Sequence, residues 1–166
     1  MASADSAAAL HRALSALLRE LVDGSAPEAA WILNPGDFGL LRSLDTLSAR
    51  AASVVSPATG SSIAAHVDHL RYGLELMNRW ARGENPFADA DYSASWRRLN
   101  VTDSEWATLR DRLRVETQHW IETVQQPREL TGVELTGVIA SVAHLAYHLG
   151  AIRQIDPSIR GPLARD

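Results

Sequence analysis

The chain has 166 residues, 46% of them apolar and 22% charged, ordinary values for a globular protein and enough length to bury a sizeable core. Twenty acidic against sixteen basic side chains leave a net charge of -4, which argues against a nucleic-acid partner, whose phosphates need clustered cations. There is no cysteine and every basic residue is Arg, so disulfides, thiolate nucleophiles, lysine Schiff bases and Walker-type phosphate loops are excluded. Histidine, carboxylate and hydroxyl chemistry remain.

The amino-terminal segment lacks a basic stretch ahead of an uninterrupted apolar run, so no secretory signal is expected. A first helix is predicted over residues 6–22, with Leu10, Leu14, Leu17, Leu18 and Leu21 on one face and Gly24 just past its end. A second, over residues 38–55, repeats Leu40, Leu41, Leu44, Leu47, Ala51 and Val54. The third, over residues 61–82, carries Ile63, Val67, Leu70, Leu74 and Met77. The connection 83–101 is long for a helical protein and holds Phe87, Tyr92 and Trp96, so it reads as an ordered crossover that packs aromatics on the helices, the alternative being a mobile flap. Thr102-Asp103-Ser104-Glu105 forms a capping box for a fourth helix with Trp106, Leu109, Leu113, Trp120 and Val124. Thr131-Gly132-Val133-Glu134 forms another, opening a fifth helix to about Ile155 with Val138, Val142, Leu145, Leu149 and Ile152. The tail after Asp156 is expected to be extended. The apolar run 137–152 is interrupted by Ser141, His144 and His148 and falls short of the ~20 residues of a membrane span. These elements predict one all-α domain over residues 1–166, cytoplasmic and without a membrane partner.

Six histidines are present: His11, His66, His69, His119, His144 and His148. His144 and His148, four apart on a helix, project from one face one turn apart, a spacing that lets two imidazoles reach one ion. His66 and His69, three apart on the third helix, offer partners from a neighbour. Random placement of six histidines yields about 0.2 pairs at any one spacing, so two pairs on two core helices are a signal. At about 100° per residue, His69 and His144 lie roughly 120° and His148 roughly 80° from the centres of their apolar stripes. That border suits a site with fixed ligands on one side and access on the other. His66 lies only about 60° from its stripe centre and is expected to be a hydrogen-bonded core histidine. His11 and His119 have no partner at useful spacing.

Two segments carry a resemblance. Ser62-Ile63-Ala64-Ala65-His66-Val67-Asp68-His69-Leu70 is similar to the helix-opening motif of the DinB/YfiT-like proteins, with Ser-Ile at its start and His-Leu seven residues on. His144-Leu145-Ala146-Tyr147-His148-Leu149-Gly150 resembles their His-x-x-x-His-x-Gly ending. The likeness runs from the third helix to Ile155 and is looser before it. It implies a four-helix bundle with an additional helix near the amino terminus, and metal ligands at His69, His144 and His148. It also implies an aliphatic residue where this chain has His66, a Gln where it has Ala151, and a shorter segment than 31–55. Relatives include metal-dependent transferases that use low-molecular-weight thiols, and association as a homodimer is expected on the same ground and from the five tryptophans.

Three neutral imidazoles leave a divalent ion its full charge and one or more open positions for water or substrate. Zn or Ni is expected, with Fe or Cu also suited to the donor set. The expected activity is a transferase acting with a small thiol on a small-molecule substrate, or a hydrolase. The alternative is a metal- or ligand-binding stress-response protein without catalysis. No residue is assigned as general acid or base. Asp45 is a candidate to accept a hydrogen bond from a ligand imidazole, against a solvated helix face. Arg71 and Arg153 are candidates to receive an anionic group, against ordinary pairing.

Overall fold

The computed structural model describes residues 2–164, and among them every regular element is helical. Helix α1 spans Ala2–Asp23, α2 Gly39–Asp45, α3 Ala49–Ala52, α4 Ile63–Ala81, α5 Tyr92–Trp96, α6 Asp103–Gln125 and α7 Gly132–Ile155, followed by a 3-10 turn over Pro157–Ile159. The four long helices pack in a circuit: α1 against α6 and α7, and α4 against the same two. Their inward faces are the leucine and valine stripes of the sequence. Leu14, Leu18 and Leu21 of α1, Ile63, Val67 and Leu70 of α4, Leu113 and Ile121 of α6, and Leu145 and Ile152 of α7 meet in one buried cluster. Burying each such side chain is worth about 1.5–3 kcal/mol, so these stripes dominate the folding energy.

Local chemistry sets the helix starts. Ser62 caps α4 by accepting from the Ala65 N–H. Thr102 and Thr131 accept from the Glu105 and Glu134 N–H groups while both glutamates reach back to the cap, completing the two boxes read from sequence. The Glu134 carboxylate is held down to about 2 by the Thr131 N–H first, then by Arg128 and the Thr131 hydroxyl.

The second predicted helix is broken in two. Leu40, Leu41, Leu44 and Leu47 before Ser48 and Ala49 and Ala52 after it are all buried, so apolar spacing alone reads as one continuous helix. Ser48 leaves the helical region at ψ 159° and caps α3 by accepting from the Ala51 N–H. The Leu47 carbonyl accepts instead from the Trp106 indole N–H at 2.8 Å. Val54 ends up exposed. The tail also differs from the extended form expected: Asp156 accepts from the Ser158 N–H, and the resulting turn buries Ile159.

Between α1 and α2 the chain reverses over itself. Gly24, at φ +104°, and Gly39, at φ +71°, face each other so closely that a Cβ on either would strike the other segment's backbone. The buried Glu20 carboxylate accepts from the Trp31, Ile32 and Leu33 N–H groups at 2.7–3.0 Å and so pins this loop to α1. Arg153 at the end of α7 donates two bonds, 2.6 and 2.9 Å, to the buried Asp37 carboxylate. That pairing removes Arg153 as a receptor for an anionic group.

Helix α7 has 24 residues, longer than the apolar run expected, and by length and composition it is long enough to cross a membrane. It packs against α1 and α4 in this structure. Of the five tryptophans, Trp106 and Trp120 are core residues, Trp80 and Trp96 are partly buried, and Trp31 is 82% exposed.

Candidate metal centre

His66 and His69 lie on α4, and His144 and His148 on α7, where the two helices pack together. One ring nitrogen from each of His69, His144 and His148 lies within 4.8 Å of the others. These are the three residues the sequence singles out. His148 is 1% exposed, while His69 and His144 are partly buried. His148 therefore sits deeper than its helical-wheel angle implies, because the neighbouring rings and Trp96 cover a position that α7 alone would leave at its border.

The ring contacts define which nitrogens are free. His148 Nε2 is 2.9 Å from His144 Nε2, and His148 Nδ1 is 2.8 Å from His66 Nδ1. Two nitrogens bound tetrahedrally to an ion at 2.0–2.1 Å stand about 3.3 Å apart, so a small rotation of either ring accommodates an ion between His144 and His148. His69 is oriented by Ser95. The Ser95 hydroxyl donates to the Tyr92 carbonyl at 2.9 Å and is 3.1 Å from His69 Nδ1. With its proton so committed, Ser95 accepts from His69 Nδ1–H, which leaves the Nε2 lone pair of His69 for an ion. Likewise, an ion on His148 Nε2 requires the proton on Nδ1, which then donates to His66 Nδ1. Outer hydrogen bonds of this kind fix tautomer and ring orientation in metal sites.

His66 is buried, as expected of a core histidine. Its partner, however, is a ligand-type ring, and that was not legible from spacing. The crossover supplies the rest. Asp91 caps α5 by accepting from the Ser93 and Ala94 N–H groups, and the Tyr72 hydroxyl accepts from the Asp91 N–H. This anchoring lays Trp96 on His69, ring centroids 4.5 Å apart and 27° from coplanar, with its edge toward His66. The sequence pointed to packed aromatics in this segment but gave no sign of Ser95.

Burial lowers the pKa of all four clustered histidines. For His148, burial and then the charges of His144, His66 and His69 bring it to about 3. For His69, burial and then His144 and His66 bring it to about 4, against an upward pull from Asp68. All four rings are thus neutral near pH 7, the form that binds metal.

Other candidates fall elsewhere. Asp45 forms ion pairs with Arg110 and Arg114 at an exposed position and offers nothing to an imidazole. Asp68 is buried between Arg71 and Arg98, and Arg71 also pairs with Glu75. Tyr147 sets its ring edge against His148 while remaining largely exposed. His119 is exposed on α6. His11 is buried against the α6–α7 connection.

Comparisons with protein-family models, with characterised proteins and with solved structures find no match to this chain.

Proposed function

We propose that His69, His144 and His148 hold one divalent ion with at least one open coordination position, and that the protein is a metal-dependent enzyme. The observation that carries this reading is the convergence of three neutral ring nitrogens whose outer nitrogens, on His69 and His148, already have partners. Zn or Ni is the ion we expect, because the all-imidazole set suits both and adds no charge. Bound there, the ion would supply Lewis-acid activation of water or of a donor atom on a substrate. The chain's own residues would orient the ligands through His66 and Ser95 and cover one side with Trp96.

The DinB/YfiT-like resemblance of residues 62–70 and 144–150 leads us to read the four long helices as that family's bundle. We read the reaction as transfer to or from a small thiol, or as hydrolysis, in a cytoplasmic setting. Two histidines of α7 turned toward α4 favour a helix packed within the protein over one surrounded by lipid. A homodimer belongs to the same reading, supported by the exposed Trp31 and by Val133, Ile139 and Tyr147 exposed on α7.

The test is equilibrium dialysis against Zn and Ni with elemental analysis, followed by turnover assays pairing small thiols with electrophiles and, separately, hydrolysable esters and amides. One ion per chain, lost in His148→Ala, is the expected result. Stoichiometric metal without turnover would mark a binding protein instead, and no metal would overturn the reading.

A further inference from the structure

Next to the three histidines, α4 and α7 part to leave a cavity of about 210 Å³. Leu70, Leu74 and Leu145 form apolar walls, and three small residues leave room between them: Gly73 of α4, and Gly137 and Ala140 of α7. Met77, partly buried, lines the same space, and Phe87 and Tyr92 of the crossover also border it, 40% and 46% exposed. His144 forms the wall nearest the proposed ion, and a Cβ placed on Gly73 would sit 3.8 Å from its ring carbon.

Among the described residues, no charged side chain lines this space. The Ser141 hydroxyl is already engaged, donating to the Val138 carbonyl and accepting from the Trp120 indole N–H. The remaining polar groups are the Tyr92 hydroxyl and the His144 ring, so a charged group entering here would lose water and gain no charged partner. An apolar group would lose nothing, and cavities of about 150 Å³ with apolar walls are known to hold benzene. The cleft beside His66 and Trp96 differs in placing Ser56, Thr59, Ser61 and Gln154 among its apolar walls.

We propose that the α4–α7 cavity receives an uncharged aryl or branched-alkyl group of a small substrate whose donor atom reaches the ion held by His69, His144 and His148. This rests on the metal reading above and adds the substrate's chemical class. Gly73 would be the determinant of size, since any larger side chain there fills the space in front of His144.

The chain's two methionines, Met1 and Met77, make the test site-specific. Full-length protein carrying methyl-labelled methionine is loaded with Zn and titrated with acetohydroxamate, which offers only a metal-binding head, and with phenylacetohydroxamate. The aryl compound is expected to bind about 10- to 100-fold tighter, as burial of a phenyl group implies. It should also shift the Met77 methyl resonance and leave Met1 in place. Gly73→Leu, or Ala140→Leu if the first does not fold, is expected to abolish that preference. Equal affinities, or an unmoved Met77 signal in Zn-loaded protein, would overturn the proposal. If Zn does not bind, the metal reading fails by itself. The metal-free protein titrated with toluene then tests the cavity, and an unshifted Met77 methyl overturns it too.

Discussion

His11 and the four-histidine cluster use the same side chain for opposite ends. His11 is buried on α1, and its Nδ1 donates to the Val124 carbonyl at 2.6 Å while Nε2 accepts from the Arg128 N–H at 3.3 Å. Both nitrogens are spent on backbone at the junction of α6 and α7, so the ring acts as a clamp. In the cluster, Nδ1 of His69 and of His148 meets a side chain, and the inward nitrogens of His69, His144 and His148 gather at one point. Burial is similar for His11 and His148, and what separates structure from chemistry is where the lone pairs go.

That contrast breaks first at His148. Replacing it with Ala is expected to lower Zn affinity at least ~10³-fold, since two imidazoles rarely retain what three hold, measured by competition with a chromophoric chelator. An unchanged affinity would mean that the ion, if any, sits elsewhere. His11→Ala should do the reverse. Metal binding stays at the wild-type level, while stability drops by about 2–4 kcal/mol through lost packing and two unmade hydrogen bonds, read from urea unfolding of chelated protein. Loss of metal in this variant would dissolve the distinction.

His66→Leu sharpens the comparison further. It keeps the apolar volume and removes the acceptor for His148 Nδ1–H, so Zn affinity should fall about 10- to 100-fold with little loss of fold. Ser95→Ala is expected to have the smaller effect of the same kind on His69. An affinity equal to wild type in both would show that the outer partners do not hold the ligands.

The same contrast sets a pH dependence. Unfolded histidine takes up its proton near 6.5, whereas folded His69 and His148 do so only near 4 and 3. Across that window the unfolded chain binds more protons, so metal-free protein should lose stability as the pH falls from about 6.5 and be flat above it. Melting temperatures of wild type and His148→Leu in chelator measure this, and the variant should show a shallower fall. Parallel profiles would mean that His148 is not desolvated as the structure indicates.

Much of this was legible in the chain itself. The leucine and valine stripes and the two Thr-x-x-Glu boxes specify α1, α4, α6 and α7 because helix period and cap chemistry are local properties. The pairs His66/His69 and His144/His148 stood out for the same reason, since spacing of three or four on a helix places rings on one face, while the choice of His69 over His66 came from its stripe border and the family resemblance. The break between α2 and α3 was not readable, because the bond that uses the Leu47 carbonyl comes from Trp106, 59 residues away. The pairing of His66 with His148, and of Ser95 with His69, depends likewise on how α4, α5 and α7 pack. Nor could composition reveal a cavity, which is bounded jointly by Gly73 of α4 and by Gly137 and Ala140 of α7. Sequence alone determined the four long helices and which rings share a face. Only the tertiary structure decided which nitrogens meet and what space lies beside them, because those depend on distances between residues far apart along the chain.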